Sequence, residues 1–250
     1  MSKHSIDLNC DVGEGMPHDE ALMKYMSSAN IACGYHAGNE TIMQRTIELC
    51  LKHQVAIGAH PGFRDKENFG RVEMSLSAAA LQDLIAEQIH IIKKHCISHG
   101  VMLHHVKLHG ALYNMAARSA EMSEVFARTV KAIDSSLIVY GLSGSHTILQ
   151  ASLQGLPIAN EVFADRTYQA DATLTPRTQA NALIKNQQAS LEQVILMVKH
   201  QKVKTVSGNE VPLTVDTICL HGDGEHAVSF AQIIKHFLEA NNINIQTIQA

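Results

Sequence analysis

The sequence predicts an α/β fold in which parallel strands alternate with helices and close into a barrel. Short apolar runs rich in Val, Ile and Leu alternate with longer segments of helical periodicity, and this alternation recurs roughly every 30 residues. About seven or eight such units close a barrel, and an open doubly wound sheet is the alternative. The chain has 250 residues, 46% of them hydrophobic. This is enough for one large core, so residues 1–250 are expected to form a single domain.

The expected strands are short apolar runs bounded by glycine, proline or polar residues. They cover residues 6–11, 30–34, 55–60, 101–109, 137–142, 157–163 and 217–221, with a last short strand at 243–248. The expected helices have apolar residues at helical spacing and cover residues 40–53, 77–100, 121–133, 145–153, 179–200 and 227–240. Ser77 can cap the second of these, and Gly100 ends it. A hairpin is expected within residues 203–215, because Gly and Asn in its turn tolerate positive φ.

Charge and cysteine content exclude several classes of partner and site. The chain has 20 Lys+Arg against 24 Asp+Glu, and no segment combines clustered basic residues with aromatics, so neither nucleic acid nor an anionic membrane is an expected partner. Its five cysteines are odd in number and form no Cys-x-x-Cys pair, which argues against a disulfide framework and a structural zinc site. No signal-peptide or membrane-spanning pattern is recognisable, so a cytoplasmic location is expected.

The first expected strand carries a row of polar side chains. Since alternate residues of a strand share a face, Asp7, Asn9 and Asp11 point one way, while the residues between them are apolar. If the apolar side lies beneath helices, the polar side faces the barrel axis, and Glu14 follows at the carboxyl end, where barrel active sites lie. The alternative is a solvated edge strand.

The fourth expected strand carries a second, cationic row. His105, Lys107 and His109 share one face, and three such groups would repel one another if all were charged. Opposite the acidic row, however, the carboxylates would keep Lys107 charged and set the histidine pKa values. These rows are therefore expected to converge at one rim of the barrel.

Three more histidines and an arginine lie at expected strand ends. His36, His60 and His221 each have glycine within two residues, which leaves room for a ligand near the backbone; the alternative is that they anchor loops through hydrogen bonds. Arg166 can clamp a substrate carboxylate or phosphate, or it can pair within the chain with Asp165 or Glu161.

Seven ordered motifs together resemble the LamB/YcsF family. They are residues 7–15 (DLNCDVGEG), 30–38 (NIACGYHAG), 58–62 (GAHPG), 69–71 (FGR), 105–114 (HVKLHGALYN), 161–166 (EVFADR) and 221–223 (HGD). The resemblance spans almost the whole chain. It implies a seven-stranded barrel related to the glycoside hydrolase and polysaccharide deacetylase group, and the A-subunit role in ATP-dependent hydrolysis of 5-oxoproline to glutamate, with subunits B and C as partners.

This resemblance leads to a hypothesis for the site. Asp11 or Asp7 is expected to act as general base, Lys107 and His109 to stabilise developing negative charge, and Arg166 to hold the substrate carboxylate. The remaining residues expected to contact substrate are Asn9, Glu14, His36, His60, His105 and His221. ATP is the expected cofactor of the complex, but the chain has no Walker-type loop, so the nucleotide is expected wholly or partly on partner subunits.

Two other functions remain open from the sequence. The first is a stand-alone metal-dependent deacetylase or amidohydrolase, with a divalent metal on ligands drawn from Asp11, His36, His60 and His109. The second is a non-catalytic scaffold that binds substrate or partners and leaves the chemistry to the other subunits.

Overall fold

The computed structural model describes residues 4–220 and 227–249. In this part of the chain the strands are β1 (His4–Val12), β2 (Ser28–Ala32), β3 (Ala56–His60), β4 (His105–Lys107), β5 (Ile138–Leu142), β6 (Ile158–Phe163), β7 (Lys202–Lys204), β8 (Glu210–Pro212), β9 (Thr217–Leu220) and β10 (Ile243–Ile245). The helices are α1 (Asp19–Leu22), α2 (Glu40–His53), α3 (Ala78–Ser98), α4 (Gly110–Arg118), α5 (Ala120–Ile133), α6 (His146–Leu153), α7 (Gln187–His200) and α8 (Ala227–Ala240).

Seven parallel strands, β1 to β6 and β9, close into a barrel within the described residues. The sheet runs from β1 through β6 to β9, and β9 pairs back onto β1. This return pairing joins Asp7 to Thr217 and Cys10 to Leu220. The predicted barrel is therefore confirmed, and the open doubly wound sheet is wrong.

Alternating polarity sorts the two faces of the barrel strands, as expected. Leu8 and Cys10 of β1 are fully buried in the apolar layer between strands and helices. Asn9 and Asp11 point to the barrel axis, where both come within hydrogen-bonding distance of Lys107 from β4. The two rows that the sequence predicts to face each other therefore do so across the barrel.

Side chains define where several helices begin. Asn39 accepts a hydrogen bond from the backbone N–H of Ile42 at the start of α2. Ser77 accepts one from Ala80 and so caps α3, as predicted. These hydroxyl and amide oxygens satisfy N–H groups that lack partners in the first helical turn.

Several predicted boundaries are wrong, and two elements differ most. The fourth strand was expected over residues 101–109, but only His105–Lys107 pairs with its neighbours, and α4 begins at Gly110 with a φ of +55°. The helix expected from residue 179 begins at Gln187, where the Asn186 side chain caps it. Residues before it instead fold back on the segment after β6, as the bridge between Arg166 and Leu183 shows. Neither α1 nor α4 was predicted.

The hairpin is confirmed, and the final strand is present but ends at Ile245 rather than at residue 248. β7 and β8 pair antiparallel, and Gly208 in the turn between them has a φ of +87°. β10 pairs parallel with the start of β1 and extends the sheet outside the barrel. Across residues 4–220 and 227–249, no helix is both long and apolar enough to cross a bilayer.

Candidate active site

A cavity of about 890 Å³ opens at the carboxyl ends of the barrel strands. Such volumes fall within the usual range of small-molecule sites, about 300 to 1,000 Å³. Its lining includes Asp11, Glu14, His60, Lys107, His109, Tyr113, Phe163 and Arg166. The position is the one expected for a barrel active site, because loops and strand ends meet there.

At the floor of this cavity, Lys107 lies between two carboxylates. Its Nζ is 3.0 Å from Asp11 Oδ1 and 2.8 Å from Glu161 Oε1. It also lies 3.3 Å from Asn9 Oδ1 and 3.1 Å from Cys219 Sγ. The ammonium group, which has three hydrogens, is therefore surrounded by protein acceptors.

This arrangement determines the charge of Lys107. Burial by itself would lower its pKa, but the Asp11 carboxylate, Cys219 and Glu161 outweigh burial and hold the pKa well above its usual range. The expectation that Lys107 donates to a substrate oxyanion needs correction, since its donors already bind protein groups. The contacts instead make it the counter-charge that holds Asp11 in place.

Below this floor, a hydrogen-bonded network fills the barrel. Asn30 donates from Nδ2 to Asn9 Oδ1 and to Asp11 Oδ1, each at 2.8 Å. The Asn30 Oδ1 atom accepts from His105 Nε2 at 2.8 Å. Asn9 and His105 are fully buried and are not among the residues that line the cavity. Their expected role in binding substrate is therefore corrected to supporting Asp11 and Lys107 from beneath.

Asp7 lies at the opposite end of the barrel from Asp11. Its carboxylate accepts hydrogen bonds at 2.6 Å from the hydroxyls of Ser27, Ser28 and Thr217. Burial raises its pKa, although these hydrogen bonds oppose the rise. It borders a separate cavity of about 300 Å³. Asp7 therefore does not share a pocket with Asp11, contrary to the expectation of a catalytic role, because four residues of extended strand span roughly 13 Å.

Glu14, His36, His60 and His109 form a cluster beside Asp11. One ligand atom from each lies within 4.8 Å of the others, so the cluster is able to hold a metal ion. The His36 and His109 rings stack with centroids 3.7 Å apart. Asp11 Oδ2 lies 3.3 Å from His60 Nε2. Of the four expected metal ligands, three are thus in this cluster, Asp11 adjoins it, and Glu14 was not predicted as a ligand.

Burial keeps two of these rings neutral. It lowers the pKa of His109 to about 3, and the neighbouring His60 adds to the effect. It also lowers the pKa of His36 well below its usual range, with His109 contributing next. His36 lies behind His109 rather than on the cavity wall. The direct contact with substrate that the sequence predicted for His36 is therefore wrong for this position.

Two glycines leave the space that the stacked rings occupy. A Cβ atom on Gly62 would lie 2.6 Å from His36 Nδ1, and one on Gly70 would lie 2.8 Å from His36 Cβ. Gly70 also has a φ of +63°, which disfavours any other residue. Gly62, which was noted beside His60 in the sequence, and Gly70, which was not, therefore make room for the histidine rings themselves.

Arg166 lines the cavity, but its guanidinium group donates hydrogen bonds to backbone carbonyls of the same chain. Nη2 donates to the Thr175 carbonyl at 2.6 Å, and Nε donates to the Ala182 carbonyl at 3.3 Å. Burial lowers its pKa to about 10. Glu161, an expected alternative partner of Arg166, is paired with Lys107. The contacts therefore show Arg166 holding the loop after β6, and the expected clamp on a substrate carboxylate has to be reconsidered.

Sequence reasoning missed Glu161 and Tyr113 as site residues. Glu161 is fully buried within β6, and its place on the inward face was the available signal. Tyr113 is on α4, which was not predicted; burial and then the Glu161 carboxylate raise its pKa well above the usual range. The predicted contact His221 lies outside the described residues.

A closed parallel barrel with charged and histidine side chains at its strand ends defines a β/α-barrel protein with a polar small-molecule site. The sequence identifies the family of barrel proteins to which the chain belongs. The chain belongs to the LamB/YcsF family, whose profile matches residues 6–250. The resemblance carried by the seven ordered motifs is thereby confirmed.

Individual relatives agree with this membership. A protein from Tolumonas auensis, named as the A subunit of 5-oxoprolinase, is 46% identical over 248 residues, 97% of this chain and 99% of the relative. The structure of a lactam utilization protein from Thermus thermophilus has a TM-score of 0.92 at 34% identity, covering 98% of this chain and 100% of that chain. A family 4 carbohydrate esterase from Streptomyces lividans has a TM-score of 0.51 at 10% identity, covering 98% and 93%; this likeness concerns the fold alone.

Proposed function

We propose that this chain is the A subunit of an ATP-dependent 5-oxoprolinase, which hydrolyses the lactam of 5-oxo-L-proline to L-glutamate together with subunits B and C. The relative from Tolumonas auensis carries the name of that subunit, and the Thermus thermophilus structure is named for lactam utilization. The observation that carries the proposal is the Asp11 carboxylate, which is fixed on one side by protein donors and reaches a cavity on the other.

Asp11 acts as the general base in this proposal. Lys107 and Asn30 both donate to its Oδ1, at 3.0 and 2.8 Å. Its side chain is 12% exposed, and it lines the cavity. With Oδ1 bound to these donors, Oδ2 is the atom that takes a proton from the attacking water. A nearby fixed cation keeps such a carboxylate ionised and aligned.

Lys107 and Glu161 are positioning residues. Lys107 is bound to protein acceptors on several sides, so it keeps Asp11 in place without touching substrate. Glu161 is completely buried at 2.8 Å from Lys107, and it draws the ammonium group towards the barrel interior. Removing Lys107 leaves two carboxylates without their cation beneath the reacting groups, whereas removing Glu161 leaves Lys107 held by Asp11.

The upper wall of the cavity favours an anionic ligand. Arg71, Arg118 and Arg177 line it in addition to Arg166. Arg118 also pairs with Glu73 at 2.6 Å, so the wall carries charges of both signs. Arginine is nevertheless in excess above the deeper carboxylates. Guanidinium groups recognise carboxylates and phosphates well. The proposed substrate has a carboxylate, and its phosphorylated form would have a phosphate as well.

The role of ATP follows from the chemistry of the lactam. Resonance makes the lactam carbon a poor electrophile, and transfer of the γ-phosphoryl group to the lactam oxygen gives an imidoyl phosphate and ADP. Water, deprotonated by Asp11, adds to that carbon; the C–N bond then breaks, the nitrogen takes a proton, and γ-glutamyl phosphate forms. A second water cleaves this acyl phosphate to glutamate and inorganic phosphate. We assign the phosphoryl transfer to the partner subunits, since this chain has no Walker-type loop.

The test uses the chain together with its B and C subunits and measures 5-oxoproline-dependent formation of glutamate and ADP. Asp11→Asn keeps the size of the side chain and removes the base, so turnover is expected to fall by about 10²–10⁴-fold. Asp7→Asn is the matched control, because Asp7 lies on the same strand but borders a different cavity. Turnover that survives Asp11→Asn would overturn the assignment of the base and favour a scaffold role.

A second function is a metal-dependent amidohydrolase that acts without ATP or partners. The cluster of Glu14 with three histidines favours it. Hydrolysis of an amide by the purified chain with a divalent metal, in the absence of ATP, would select this function. All five cysteines are buried free thiols, which fits the reducing cytoplasm that we propose as the location in either case.

A further inference from the structure

In the histidine cluster beside Asp11, two ring nitrogens that can act as hydrogen-bond acceptors lie against each other. His60 Nδ1 lies 2.9 Å from the Lys107 carbonyl oxygen. His109 Nε2 lies 2.9 Å from the Phe69 carbonyl oxygen. A carbonyl oxygen only accepts, so each of these nitrogens is a donor and carries a proton.

In the tautomers that these two hydrogen bonds select, the other nitrogen of each ring presents a lone pair. His60 Nε2 and His109 Nδ1 are 3.0 Å apart, so two acceptors face each other at hydrogen-bonding distance. Asp11 Oδ2 adds negative charge 3.3 Å from His60 Nε2. Glu14 Oε1 adds more at 3.6 Å from His109 Nδ1. Such a group of acceptors requires a proton or a cation between its members.

His36 supplies an independent observation. It is 1% exposed, and within residues 4–220 and 227–249 neither of its ring nitrogens has a hydrogen-bond partner. Its Nε2 lies 3.6 Å from Glu14 Oε1, within the same cluster. A buried imidazole without hydrogen bonds is costly, and this one lies beside the Glu14 carboxylate.

We infer that this cluster binds one divalent metal ion through His60 Nε2, His109 Nδ1 and Glu14 Oε1, while the His36 ring stays stacked on His109. Imidazole and carboxylate ligands suit Zn²⁺, Mn²⁺, Fe²⁺ or Co²⁺ better than Mg²⁺, which prefers oxygen ligands throughout. Backbone carbonyls that bind the outer nitrogens of His60 and His109 orient the rings, as is usual for metal-binding histidines. This inference goes beyond the proposed ATP-dependent 5-oxoprolinase mechanism, in which no step depends on a metal.

The site has a consequence for the chemistry in the cavity. Glu14, His60 and His109 line the cavity together with Asp11. A bound divalent ion would act there as a Lewis acid towards a carbonyl or phosphoryl oxygen. That supplies the charge stabilisation which Lys107, enclosed by protein acceptors, is not placed to provide.

The test is direct metal binding by the chain without substrate or partners, so it is independent of 5-oxoprolinase activity. The protein is purified without a histidine tag, stripped with a chelator, and titrated with Zn²⁺ or Mn²⁺ by calorimetry. One ion per chain is expected. His109→Gln is expected to weaken binding at least ~100-fold, since loss of an outer-sphere partner alone costs about 10–100-fold. His90→Gln, at an exposed position on α3, is the control and should bind as the unmodified chain does.

A second measurement keeps the inference testable if a histidine variant fails to fold. In the unmodified protein, imidazole ¹⁵N spectra should show the His60 Nε2 and His109 Nδ1 signals shifting on addition of metal, while their protonated nitrogens stay bound to backbone carbonyls. Glu14→Gln keeps the shape of the cluster and should also reduce affinity. Failure of the stripped, folded protein to take up any of these ions would overturn the inference and leave a proton shared between the two rings.

Discussion

Replacing Lys107 with methionine tests whether this buried cation holds the site together. The side chain is 3% exposed and lies 3.0 Å from Asp11 and 2.8 Å from Glu161. Methionine fills similar space without charge, so the substitution leaves two carboxylates without their main cation. Removing one partner of a buried ion pair typically costs about 3–5 kcal/mol. The Lys107→Met protein should lose that much free energy of unfolding in urea titrations.

Two controls separate charge burial from other effects. Lys52→Met removes a lysine that lies 2.9 Å from Glu20 in an exposed pair, and its unfolding curve should match that of the unmodified protein. The double variant Lys107→Met with Glu161→Gln removes one charge of each sign. It should be more stable than Lys107→Met alone, because it no longer contains the buried Glu161 carboxylate that lacks a counter-charge in the single variant.

The pH dependence has a definite sign. The folded pKa of Lys107 lies well above its ordinary 10.5, so its stabilisation is fully present below 10.5 and is lost only as pH rises through the higher folded value. The unmodified protein should therefore show no Lys107-related change near neutral pH. A loss of unfolding free energy in Lys107→Met no greater than that in Lys52→Met would refute the reasoning.

Three further predictions concern other parts of the barrel. Burial raises the pKa of Asp7 above 3.8, so stability should fall as pH rises from 3.8 through the folded value; Asp7→Asn should abolish this fall in melting temperatures measured across acidic pH. Gly70→Ala and Gly155→Ala both place alanine at positive φ, but only the new Cβ at position 70 meets atoms within 4 Å. In urea titrations, Gly155→Ala should lose about 1–2 kcal/mol of unfolding free energy, and Gly70→Ala should lose roughly 1–3 kcal/mol more. Arg166→Lys loses the guanidinium contacts to two loop carbonyls, so limited proteolysis should cut residues 166–184 faster, whereas an unchanged rate would show that those contacts do not hold the loop.

Local sequence pattern was sufficient for much of the fold. The alternation of apolar and polar residues in β1 placed Asn9 and Asp11 on the barrel axis, because strand geometry forces alternate side chains to opposite faces. Capping chemistry located the start of α3 at Ser77. The pattern failed at α7, where helical spacing continues upstream of Gln187, but the chain there folds back onto the segment after β6.

Periodicity within one strand is enough to establish which side chains face the barrel axis and which face the helices. Which of these side chains meet depends on the three-dimensional arrangement of the strands. Asp11 binds Lys107 and Asp7 does not, because closure of the barrel brings β1 opposite β4 in a single register and leaves Asp7 at the far end. The lone pairs of His60 and His109 face each other because two distant carbonyl groups, of Lys107 and Phe69, bind the other nitrogens. Contacts between residues so far apart in the chain depend on how the strands close, which local periodicity does not specify.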